Sequence, residues 1–240
     1  MNTVYPHFGT IHIISMLLTV SAVYLLSGLF LRAGTGVRQL CLKVIPVMMV
    51  FMEIIKDLYL IKTGRFGIGY LPLHLCSLGI FVFLFAAFLR SCKWRQIFGE
   101  IALVLILPGS LCAVLFPDWN VYPVFSFLNV YSWVWHMLLV LYPVLLFRAG
   151  LVRPDIRHIH YSILFLCAVV PPVYLFDRHF NCNYMFVNWP PANTPLYLFS
   201  RYMGVPGYLA GYAALVLLIL PAVYLVLYLI RPARSTAGEL

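Results

Sequence analysis

Seven apolar runs, at residues 11–31, 42–61, 71–89, 97–115, 124–147, 157–176 and 206–230, constrain this chain more than any other feature. A helix needs about 20 apolar residues to cross the hydrocarbon core of a bilayer. The runs are continuous rather than alternating, so helices and not barrel strands are expected. Composition agrees. Hydrophobic residues make up 63% of the 240 and charged residues only 10%, against about 25% charged in an average soluble domain. One soluble core of this size cannot bury so much apolar surface. A soluble enzyme, a disordered chain and a disulfide-stapled secreted domain are therefore excluded. No repeat, low-complexity tract or linker interrupts the series. Residues 1–240 read as one all-α polytopic membrane domain with seven transmembrane helices. No cleavable signal peptide is expected, because no basic residue precedes the first run.

The net charge of +9 writes topology rather than a nucleic-acid partner, because the basic residues fall in short gaps between runs. Arg32, Arg38, Lys43, Arg90, Lys93, Arg95, Arg148, Arg153, Arg157, Arg231 and Arg234 collect on one side. Only Lys62, Arg65, Arg178 and Arg201 collect on the other, and Lys56 lies inside the second run. The positive-inside rule then puts the N-terminus outside and the C-terminus in the cytoplasm. The six cysteines form no C-x-x-C pair and no zinc-ligand spacing, and most sit in apolar runs, where a free thiol is a small hydrophobe. No disulfide is expected; Cys112 and Cys182 come nearest to a plausible pair. No metal or cofactor is expected either, since no H-E-x-x-H occurs and the Gly64-x-x-Gly67-x-Gly69 stretch reads as a turn.

Polar groups inside the runs are costly, and so informative. Glu53, Lys56 and Asp57 share one helical face of the second run, either as a mutually neutralised packing cluster or as the lining of a wet cavity. The third run opens on Tyr70-Leu71-Pro72-Leu73-His74-Leu75-Cys76-Ser77. Pro72 is expected in its first helical turn. Cys76 is either an inert membrane thiol or a nucleophile awaiting a base. His136 lies about 18 Å into the fifth run by the helical rise, or less if that helix starts near Phe127. At that depth it is paired in the core or serves as a general base. His12, at the start of the first run, reads as a headgroup-level histidine. His158 and His160, at the opposite end, read as interfacial. The gap at residues 177–205 exceeds the length of an ordinary connector. Its Phe180, Tyr184, Phe186 and Trp189 favour packing at the membrane interface over disorder.

These segments resemble the YwaF-like, transmembrane-protein-164-like family of seven-helix membrane proteins. The string Leu71-Pro72-Leu73-His74-Leu75-Cys76-Ser77 carries the likeness most strongly. It is followed by His136, by Asn183-Tyr184-Met185-Phe186 and by Thr194-Pro195, with Glu53 and His12 ahead of it. The resemblance implies acyl transfer: the animal relatives are described as acyltransferases that place polyunsaturated chains on ether phospholipids. It also implies a fold like that of the androgen-induced-gene lipid hydrolases, with nucleophile and histidine on separate helices. Carried over, Cys76 is the nucleophile and His136 the base. His74, Ser77 and Asn183 are alternative oxyanion donors, Glu53 is a candidate to orient a histidine, and His12 and Tyr184 support the site. The expected partners are membrane phospholipids or lysophospholipids, and the shorter, bacterial-looking length implies a bacterial plasma membrane. Two other readings stay open on the residues alone: a small solute or proton-coupled transporter using Glu53, Asp57 and His136, and a non-catalytic lipid-binding membrane protein.

Overall fold

The computed structural model describes residues 4–192 and 194–230. Arg231 and Arg234 of the expected cytoplasmic tail, and Asn193 of the long gap, lie outside the described residues. The described residues form helices and the segments between them: α1 Thr10–Arg32, α2 Thr35–Lys62, α3 Leu75–Phe88, α4 Cys92–Ile101, α5 Leu107–Leu115, α6 Phe127–Arg148, α7 Ile159–Phe180, α8 Pro195–Met203 and α9 Tyr208–Leu229. Five stretches are long and apolar enough to cross a membrane: Thr10–Arg32, Cys92–Val121, Phe127–Arg148, Ile156–Phe180 and Tyr208–Leu229. The other two expected spans fall short for different reasons. The 28-residue α2 carries Glu53, Lys56 and Asp57, and the apolar α3 has only 14 residues.

α6 is the hub. It packs against α1, α2, α3 and α5, and its Leu138, Leu139, Leu141, Tyr142, Leu145 and Leu146 are buried in the main core with Met49, Phe83 and Ile106. Close approach of α3 depends on Gly79, where a Cβ would lie 2.9 Å from Leu139 and 3.2 Å from Ile106; small residues permit such contacts between membrane helices. Elsewhere the surface is apolar: Leu17, Leu18, Leu25 and Leu29 on α1 and Leu217, Leu218 and Leu225 on α9 are exposed. Such a surface suits lipid chains, not water.

Between α4 and α5 the helix widens into a π-turn over Ala102–Ile106. Pro108 follows, with only Leu107 between. It lacks the N–H that would bond the Val104 carbonyl, and its ring crowds that carbonyl. The wider turn relieves the crowding without leaving the helix, and such turns recur at functional sites. Here it sets Ser110, fully buried, toward α3.

Helix α3 starts later than its apolar run. Leu71 to His74 stay outside the helix, so Pro72 is not in a first turn, and His74 is the residue that precedes the helix, with ψ 150°. Proline disfavours helical backbone at the residue before it, which keeps Leu71 extended (φ −62°, ψ 149°). Cys76 thus becomes the second residue of α3. In turn α6 begins at Phe127, capped by the Ser126 hydroxyl, which accepts from the Asn129 N–H. His136 then lies about 14 Å along its helix by the helical rise, closer to the depth of Cys76 than a start at residue 124 would put it.

Candidate active site

The segment before α3 is held from two sides. From α2, Lys56 donates to the Tyr70 carbonyl at 3.1 Å. From the loop after α7, the Tyr184 hydroxyl donates to the Ile68 carbonyl; burial pushes that phenol up to about 12, so it remains a donor throughout the neutral range. Tyr184 also sets its ring edge-on to His74, with centroids 4.9 Å apart.

The acidic cluster is a seam between helices. Lys56 pairs with Glu53 at 2.5 Å and with Asp57 at 3.2 Å, and the Tyr131 hydroxyl of α6 donates to the second Glu53 oxygen at 2.7 Å. Both Glu53 oxygens are engaged and neither meets a histidine, so Glu53 orients Tyr131 and Lys56 rather than an imidazole. Tyr131 in turn stacks on Trp135 at 5.5 Å.

Proton positions on the three inner histidines follow from their partners, because a carbonyl only accepts and a backbone N–H only donates. His136 Nδ1 lies 2.8 Å from the Ser132 carbonyl. Its neutral ring therefore carries the proton on Nδ1 and leaves the Nε2 lone pair open. Trp119 stacks on that ring at 4.4 Å and 19°. His74 is the reverse: its Nδ1 accepts from the Met185 N–H at 3.3 Å, so its proton sits on Nε2. His12 is engaged on both sides, accepting from the Phe8 N–H at 2.8 Å and donating to the Val114 carbonyl at 2.9 Å. It is fully buried and ties the start of α1 to the end of α5.

Cys76 is partly buried, and its thiol neighbours the Ser110 hydroxyl, which itself donates to the Ile106 carbonyl at 2.8 Å. Cys76 and His136 are not hydrogen-bonded to each other; the Asp118 carboxylate lies within charge range of Cys76, His74 and His136 without a hydrogen bond to any of them. Asp118 also acts on Tyr122 outside the helices, where burial, first, and the Tyr70 hydroxyl at 3.3 Å, second, push the phenol above its usual range. Asn183 is bonded within its loop through its oxygen and one of its two amide hydrogens. Its Oδ1 accepts from the Asn188 and Trp189 N–H groups at 3.1 and 3.0 Å, and its Nδ2 donates to the Trp189 carbonyl at 2.9 Å. Ser77 occupies the third position of α3 and makes no side-chain hydrogen bond among the described residues. A cavity of about 290 Å³ is bounded by Ile68, Gly69, His74 and Phe180 to Tyr184; of the candidate residues it touches His74, Asn183 and Tyr184, and not Cys76 or His136.

The sequence nominated Cys76, His74 and His136 but missed Asp118, Trp119 and Ser110. Asp118 had one available signal: it is the acid in a short gap that holds no basic residue. Two further histidines are paired away from this group: His158 Nδ1 sits 3.0 Å from the fully buried Glu100, which also accepts from the Asp155 N–H at 2.9 Å, and His160 Nδ1 lies 2.8 Å from the Arg157 carbonyl. All six cysteines are free.

A helical bundle with an apolar surface that suits lipid, and with a thiol, histidines of opposite tautomer and a carboxylate held inside it, is an integral membrane protein with a polar interior. The chain belongs to the TMEM164 family, whose profile matches residues 7–224. No curated protein and no solved structure matches it.

Proposed function

We propose that this protein is a membrane-embedded acyltransferase or acyl hydrolase acting on phospholipid ester bonds. It crosses a bacterial plasma membrane seven times, with the N-terminus outside and the C-terminus in the cytoplasm. Cys76 is the nucleophile and His136 the base. The observation that carries this reading is the proton on His136 Nδ1, held by the Ser132 carbonyl, which frees Nε2 to accept a proton. Trp119 shields the ring. Thiol and imidazole are apart in the free protein; catalytic hydrogen bonds of this kind often tighten only with substrate in place.

In the first half-reaction His136 Nε2 takes the proton of the Cys76 thiol. The thiolate attacks the ester carbonyl carbon, forming the S–C bond and a tetrahedral oxyanion. Collapse breaks the C–O bond to the lysolipid, and the leaving alkoxide takes the proton from His136. In the second half-reaction His136 deprotonates an acceptor hydroxyl, of another lysolipid or of water, which attacks the thioester and releases the thiol. The ester lies within the bilayer, where the apolar surface of the chain already meets acyl tails.

The test is transfer or release of a labelled acyl chain from phospholipid in mixed micelles containing lysophospholipid. Cys76→Ala abolishes both, while Glu53→Gln retains at least one-tenth of the wild-type rate. Label movement that survives Cys76→Ala overturns the assignment. Proton-coupled solute uptake that depends on Glu53, with no label movement, moves the protein to the transporter class.

A further inference from the structure

Resting on the acyl-transfer reading, we infer that His74 is the oxyanion donor of the site, and that the loop after α7 fixes it in that role through the Met185 N–H. An oxyanion donor must present an N–H or O–H that no protein group already uses. His74 Nδ1 is taken by the Met185 N–H, so in the neutral ring Nε2 carries the hydrogen. Nε2 has no partner among the described residues, and the ring borders the cavity of about 290 Å³. Asn183, the rival in the loop, has its amide plane tied by Asn188 and Trp189 and one of its two amide hydrogens donated to the Trp189 carbonyl.

The loop holds this arrangement at a conformational cost. Met185 (φ 51°, ψ 11°) and Phe186 (φ 58°) both adopt left-handed backbone, which side-chain-bearing residues rarely occupy and which persists only when the surroundings over-determine it. The surroundings do so here. Tyr184 bonds the Ile68 carbonyl, the Tyr208 hydroxyl bonds the Phe186 carbonyl at 2.7 Å, and Asn188 Nδ2 spans the Asp177 and Cys182 carbonyls at 3.2 and 2.8 Å. The strained pair turns the Met185 N–H onto His74. The outcome is two histidines with opposite tautomers, one acceptor and one donor. His136 Nε2 removes the thiol proton; His74 Nε2–H, two residues ahead of Cys76, meets the carbonyl oxygen as it becomes negative. A neutral imidazole donor suits this task, because it gives up no proton and needs no counter-charge in the membrane.

The experiment has two readouts on full-length protein in detergent. In 15N-histidine spectra, His74 shows the Nε2–H tautomer and His136 the Nδ1–H tautomer, each assigned by loss of its signal in the single variant. With acyl-labelled phospholipid, His74→Phe forms acyl-enzyme about 100- to 1,000-fold more slowly than wild type, with kcat falling and KM little changed. His74→Gln, which keeps a donor near the Nε2 position, recovers at least a tenth of the rate. Both variants are checked for a wild-type melting profile. An Nδ1–H tautomer at His74, or a folded His74→Phe with the wild-type rate, overturns the inference and leaves the Cys76 reading standing. Absence of acyl-enzyme in the wild type overturns that reading, and this inference with it.

Discussion

At the scale of single residues, proton placement separates the histidines more sharply than burial does. His12 and His136 are both buried, yet His12 spends both nitrogens on backbone groups and His136 spends one. His136→Asn places an amide N–H near the Nδ1 position and keeps the tie to Ser132, but removes the base. Its acyl-transfer rate falls about 10²- to 10⁴-fold with the melting temperature little changed, as read by turnover beside calorimetry; an equal loss in a His12 variant that remains folded would contradict the distinction. The candidates Cys76, His74 and His136 were legible in the sequence through the Leu71–Ser77 string and the resemblance it carries; residue type alone left an inert thiol and a paired core histidine open. Their proton states were not, because the deciding partners are backbone groups: the Ser132 carbonyl four residues back, and the Met185 N–H 111 residues away.

At the scale of elements, the seam between α2 and α6 fixes where the site sits. Lys56 neutralises Glu53 and Asp57 and also grips the Tyr70 carbonyl. Lys56→Met leaves a carboxylate without its cation in a site where its side chain is 11% exposed. The expected cost is about 3 kcal/mol, seen as a lowered melting temperature, and Glu53→Gln added to it recovers part of the loss. An unchanged melting temperature for the single variant would show the cluster to be idle. Packing of α3 gives a second prediction. Gly79→Leu drives a side chain into Leu139 and Ile106, destabilising by about 1–3 kcal/mol, whereas Gly28→Leu, with open space at its Cβ, is silent in the same melt. The i, i+3, i+4 spacing made the charged face of α2 readable from sequence. The late start of α3 and the π-turn before Pro108 were not, because hydropathy does not report backbone geometry and both follow from proline sterics.

At the scale of the whole molecule, every apolar run corresponds to a helix or a continuous helical stretch, because the need to satisfy backbone groups internally leaves an apolar run no other structure in a bilayer. Expected length and observed length part company at α3, where the non-helical Leu71–His74 segment around Pro72 delays the start and leaves a helix of 14 residues. The long loop, read as packed rather than disordered, encloses Tyr184 and Met185 in a small core of its own; its bracing of His74 was invisible without coordinates. The orientation set by the basic residues predicts that a membrane-impermeant thiol reagent labels Asn181→Cys from outside intact cells. The exposed Cys92 reacts only after permeabilisation. The reverse pattern would invert the topology and put the cavity on the cytoplasmic side.

The central claim, a thioester on Cys76, is tested most directly by intact mass. The purified protein is incubated with mixed phospholipids, and its mass is recorded before and after hydroxylamine, beside Cys76→Ala. The predicted result is a fatty-acyl increment on the wild type that hydroxylamine removes and the variant never acquires, with the size of the increment naming the chain. An unmodified mass throughout, under conditions where labelled acyl chains are nonetheless transferred, would contradict it and return Cys76 to a packing residue beside Ser110.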